Sequence, residues 1–212
     1  GSSTATTEEV INTLALGAGA STVTLTPGSG QTAILRLATS ATTAAGASTL
    51  FRGTNLGVNA PGSADSANIV LTNVASQNQV SSINTAFVLT GGLAPNDNPS
   101  IGIIKGAFGD TSATGLGTQL VTYDLDKGVR LLNPTTEYTT TLVDGSIVTD
   151  NVKIDGTSKT LTVATTANAL WLKDGATVSG AGTLTLSAAT LLVTGTNNNV
   201  SAIIANGSNA FA

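Results

Sequence analysis

The segment Gly180 to Ser187 reads GAGTLTLS, a glycine-rich turn followed by Leu184 and Leu186 alternating with Thr183, Thr185 and Ser187. A period of two puts one face of a strand in a core and the other in solvent. Related text stands just upstream: TLTVATTANALWLKDGATVSG (Thr160 to Gly180) lies over TLTLSAATLLVTGTNNNVSA (Thr183 to Ala202) with one short deletion, an offset of about 21 to 23 residues. Strand-turn units at that spacing cannot bury an apolar face singly, so they stack, and the expected fold is an all-β parallel β-helix or β-solenoid. Such a stack has side faces and ends rather than a cleft.

Composition agrees with strands. Only 9% of the 212 residues are charged and 3% aromatic, far from the Glu, Lys, Leu and Arg vocabulary of helices. A net charge of −4, with eight scattered Lys and Arg, offers no basic footprint, so nucleic acid is not expected as a partner. No apolar run approaches a membrane span and no aromatic girdle is present, so membrane insertion is not expected either. The chain has neither Cys nor His. That removes disulfides, thiolate and Ser-His-Asp chemistry and histidine metal sites, and it suits an exported protein that folds without staples. The start, GSSTATTEEV, has no Met and no signal-peptide core, as expected of a mature product or a fragment.

Strands are expected at 10–16, 22–26, 32–38, 68–74 and 83–90, with PGSG, TAAGAS and APGSAD as turns. From Gly91 to Thr118 the pattern loosens into a loop-rich excursion. Strands return at 119–123, 129–132, 138–143, 146–149, 152–154, 160–164, 169–172, 183–186, 190–193 and 200–204. Residues 1–212 therefore read as one domain, with a seam at 91–118 and the clearest repeats at 140–205.

GAGTLTLS, FRGTNLG (Phe51 to Gly57), GAFGDTSATGLGTQLVTYD (Gly106 to Asp124) and GVRLLNPTTEY (Gly128 to Tyr138) together resemble the bacterial autotransporter-associated β-strand repeat proteins. Ala188 stands where that short repeat usually continues with Gly. The resemblance implies a right-handed parallel β-helix, exported to the extracellular face of a bacterial cell.

Chemistry would have to rest on carboxylates, Lys or Tyr. Asp144, Asp150 and Asp155 with Lys153 could serve a polysaccharide-active β-helix enzyme if they shared one groove, but each stands beside Gly, Asn or Thr at an expected corner, where Asp side chains satisfy the local backbone. Asp124-Leu-Asp126-Lys-Gly128 opens like a calcium loop and then fails, because loop position 12 is Thr135. Asp124 and Asp126 are thus incomplete metal candidates, and the PNDNP turn (Pro95 to Pro99) is another oxygen-rich one. Gly28 to Ala33 fits a dinucleotide fingerprint in letters only, since QTAILRLA alternates like a strand rather than opening a helix. The Thr-x-Thr pairs at 22–26, 160–162 and 183–185 are too few for an ice-binding array. Trp171 points opposite to Leu170 and Leu172, either plugging a seam or standing exposed for a surface glycan. No cofactor and no catalytic residue are expected.

The functional reading is a non-enzymatic structural or adhesive segment that associates with itself, as an oligomer or a filament; a glycan-binding module is the other non-catalytic option. A solenoid's end strands template pairing with another chain. After Asn197 the sequence has no charge and no Pro. Val200, Ile203 and Ile204 are therefore the expected acceptor edge, and a free strand carrying Glu8, Glu9, Val10, Ile11, Leu14 and Leu16 is the expected donor.

Overall fold

Alternating Thr, Ser and aliphatic residues between glycine corners give strands throughout. The computed structural model describes residues 4–72, 89–92, 94–146, 148–200 and 203–206. It is all-β, 52% strand, with no helix among the described residues, and one of its parallel sheets curls into a half-barrel. The chain divides into two units, residues 1–89 with 106–131 and residues 90–105 with 132–212.

In the first unit the chain lays strands alternately into two sheets. One sheet holds β1 (Thr7–Leu16), β3 (Thr32–Thr43) and β5 (Ser66–Leu71), in the order β1-β3-β5 and all parallel. The other holds β2 (Gly19–Leu25), β4 (Ala47–Gly53) and β8 (Ala107–Asp110), also parallel, then β9 (Gln119–Asp124) and β10 (Gly128–Leu131), which run antiparallel. Phe51, Leu37, Ile69 and Leu120 are fully buried in this unit. At roughly 1.5–3 kcal/mol for each large apolar side chain buried, such residues hold the layers together.

The second unit repeats the plan with shorter steps. β11 (Asn151–Asp155), β13 (Thr165–Lys173), β15 (Thr183–Thr194) and β17 (Ile203–Asn206) form one parallel sheet, while β12 (Ser158–Thr160), β14 (Thr177–Ser179) and β16 (Asn199–Val200) form another. Asn151 pairs with Ala169, Thr165 with Leu184 and Thr183 with Ile203, so the chain returns to the same sheet at nearly even steps. Side chains of equivalent position therefore stack in columns: Val152 on Leu170 on Leu191, and Ile154 on Leu172 on Val193. Leu184 and Leu186 are fully buried, whereas Thr183 and Thr185 are half-buried and Ser187 is exposed, the alternation that a period of two demands. A short two-stranded sheet of β6 (Leu89–Thr90) and β7 (Ile103–Ile104) completes the described strands.

Several elements differ from the sequence reading. The repeat offset expected from the text holds at Val178, which pairs with Val200, but Leu184 pairs with Thr165 and not with Leu161. Two extra residues in β15 between Leu186 and Thr190, where Ala189 takes a φ of 48°, shift the register. Ala107–Asp110, expected to be loop, is the strand β8, and Ala47–Gly53 is the strand β4. Gly109 looks like a turn former but is in β8 for close approach: a Cβ there would lie 2.4 Å from Val121 Cγ1. Residues 138–143, expected as a strand, contribute only a bridge from Thr139 to Val152. Of the expected strand 83–90, only Leu89 and Thr90 lie within the described residues.

Candidate functional site: the outer side of strand β1

The carboxylates proposed for chemistry are engaged separately. Asp144 is exposed, and its oxygens accept from the backbone N–H and hydroxyl of Thr162 and from Val163 N–H. Those bonds, the Thr162 hydroxyl first and then the two amides, hold its carboxyl below the ordinary value. Asp150 accepts from the Ser100 hydroxyl, and Asp155 pairs with Lys173 at 3.0 Å. Lys153 donates to the Pro134 carbonyl at 3.1 Å. Among the described residues no three acids gather where they could hold a metal ion.

Asp124 is buried and saturated. Its Oδ1 accepts from the N–H groups of Asp126 and Lys127, and its Oδ2 faces Arg130 Nε at 3.4 Å. This is the turn of the β9–β10 hairpin, and Asp126 is exposed. In PNDNP, Asp97 Oδ1 accepts from Thr136 and Asn133, and Asp97 N–H donates to the buried Glu137.

Trp171 is 5% exposed. Its ring lies 5.3 Å from that of Tyr138, Lys153 Nζ stands 5.4 Å from its centroid, and its Nε1–H donates to Thr194 Oγ1. It packs rather than presenting a face for a sugar. Phe51 and Tyr123 are buried as well, and Phe108 is half-buried, so no aromatic ring among the described residues stands fully exposed.

The two side strands of the β1-β3-β5 sheet are treated differently. β5 is covered. Tyr123 Oη accepts from Leu71 N–H at 2.8 Å, Asn68 Nδ2 donates to the Lys127 carbonyl at 3.0 Å, and Gly128 lies so close that a Cβ would stand 2.1 Å from the Ile69 carbonyl oxygen. With a φ of 79°, Gly128 also takes a backbone conformation that side chains disfavour. The β9–β10 hairpin thus seals that side. β1 is the opposite case: on its far side no described strand pairs with it.

β1 is not the free strand expected from the sequence, because nine of its residues pair in parallel with β3. Among the described strands it is an edge strand. Glu8, Glu9 and Val10 are exposed, Ile11 and Leu14 half-buried, and only Leu16 is buried. The register shift opposite Asn12 comes from an extra residue in β3, so β1 itself stays regular. Its one described ion pair joins Glu8 to Arg36, with Nε to Oε1 at 2.6 Å and a second contact at 3.3 Å. That hydrogen-bonded fork holds the Glu8 carboxyl below its ordinary value and pushes Arg36 up. Neighbouring β2 ends its own sheet and is uncharged from Gly19 to Leu25. Val200 lies in β16 and Ile203 and Ile204 in β17, the last strands of their sheets, but their side chains lie outside the described residues.

Sequence reasoning missed two polar devices, the Tyr123 seal and a buried pair of asparagines. Asn151 Nδ2 donates to the carbonyls of Pro99 and Ile101, while Asn168 Nδ2 donates to Thr90 and to Asn151 Oδ1. Both side chains are fully buried. The only signal in the text was Asn inside an otherwise apolar strand. No family model matches the chain, and comparisons with curated proteins and with solved structures give no match either.

Proposed function

We propose that this protein is a non-enzymatic structural or adhesive segment of a bacterial surface protein, built as a right-handed parallel β-solenoid and associating with itself through the β1 edge. The observation that carries the reading is the interleaved parallel pairing, in which alternate strands of a continuous chain enter two sheets at nearly even steps along the second unit. Parallel strands joined through a second sheet are what successive solenoid coils produce, and such crossovers are right-handed in nearly all proteins. The motifs shared with autotransporter-associated repeats supply the extracellular setting. Asp144, Asp150 and Asp155 are engaged separately, in a turn, with the Ser100 hydroxyl and in an ion pair between strands β11 and β13, which favours a structural role over a catalytic one.

The outer side of β1 supports self-association. It carries neither Lys nor Pro, and its only charges are Glu8 and Glu9 at one end, so the usual protections of an edge are missing over most of its length. Lysine at the exposed positions Val10 and Asn12 adds such protection without disturbing a core residue. Sedimentation of the parent across a range of concentrations should show assembly, and the Val10→Lys, Asn12→Lys double variant should remain monomeric with the same β circular dichroism. Equal assembly of the two proteins contradicts a role for this edge.

A further inference from the structure

We infer that the occupant of the β1 edge is the β1 edge of a second copy, running antiparallel about a two-fold axis; this rests on the self-association proposed above. β1 presents a strand of 10 residues with regular backbone, and the N–H and C=O groups along its outer side are met by another strand. Its charge is lopsided. Glu8 and Glu9 stand near its start, while 10–16 (VINTLAL) carries no charge at all.

That asymmetry selects the partner and its direction. An in-register parallel copy would set Glu9 against Glu9, whose charge no described ion pair offsets, and like charges directly opposite are destabilising. A two-fold arrangement centred on Asn12 sets Glu8 opposite Leu16 and Glu9 opposite Ala15 of the second copy, so each acidic end meets an uncharged one. A basic peptide is the poorer fit, because Arg36 of the same chain already holds the Glu8 carboxylate in a fork. Antiparallel ladders are also slightly the more stable kind. Every copy brings the same edge, and an isologous pairing closes on itself as a dimer. On the other side of this sheet, the β9–β10 hairpin with Tyr123 and Gly128 leaves no equivalent edge open on β5.

The symmetry can be read directly with spin labels, since the chain has no Cys of its own. Single cysteines replace Asn12, near the axis, or Ala15, away from it; both positions are exposed. In the full-length protein, dipolar spectroscopy should give a short distance between labels at 12 and one on the order of 20–25 Å at 15, as the strand rise of about 3.3 Å per residue dictates. Sedimentation should show a dimer. Association with the same label distance at both positions would mean translational stacking, which overturns the two-fold inference and leaves self-association standing. A protein that stays monomeric at high concentration removes both.

Discussion

Leu184 and Thr185 are adjacent, both in β15, and differ in what surrounds them: the first is fully buried beside Leu186 and the second half-buried. Leu184→Asp loses a packed leucine, about 3–5 kcal/mol, and also sets a carboxylate among aliphatic groups. Thr185→Asp should cost no more than about 1 kcal/mol. Thermal denaturation of the two variants checks this, and equal losses would remove the assignment of faces. This alternation was legible because it depends only on period. Asp144 was legible as a corner residue but not in its partners, which lie 18 and 19 residues further on. With its carboxyl depressed in the folded state, the Asp144 bonds stabilise fully above the ordinary carboxylate range, and that stability is lost as pH falls through the lower folded value. Asp144→Asn should therefore melt below the parent at neutral pH, and the gap should narrow as pH falls through and below the ordinary carboxylate range. A constant gap across that range would show that the charge contributes nothing.

At the scale of elements, strands with plain alternation could be read, and strands shaped by contact could not. β4 (ASTLFRG) alternates buried and half-buried residues, yet its Ala, Ser and Gly look like a turn in the text. β8 holds Gly109 and Asp110 because Val121 packs against one and the loop amides of Ser112 and Gly117 cap the other. Neither reason is local. The same holds for 90–105, whose carbonyls are tied down by Asn151 and Asn168 from strands β11 and β13. Asn168→Leu removes the donors to Thr90 and Asn151, and each buried acceptor left bare costs about 1–3 kcal/mol. The variant should melt earlier and be cut by protease within 90–105 before any strand of β11 to β15. Cleavage no faster than in the parent would mean that other contacts hold this segment.

For the whole molecule, the repeated text near the C-terminus pointed to stacked parallel strands, and the second unit has them, although the letters were aligned out of register at Leu184. The division into two units and the hairpin that closes β5 were not legible, because both depend on β8 pairing with β4 across the long stretch of chain that holds β5, β6 and β7. The solenoid reading makes columns of like position the organising feature of the core, each coil resting on the one before. An antiparallel meander of the same strands would bury many of the same residues while placing sequence neighbours side by side. Methyl cross-relaxation by NMR separates the two most directly. The account predicts contacts joining Val152, Leu170 and Leu191 in one column and Ile154, Leu172 and Val193 in the next; their absence, with Leu172 paired instead to Val178 across a hairpin, would contradict it.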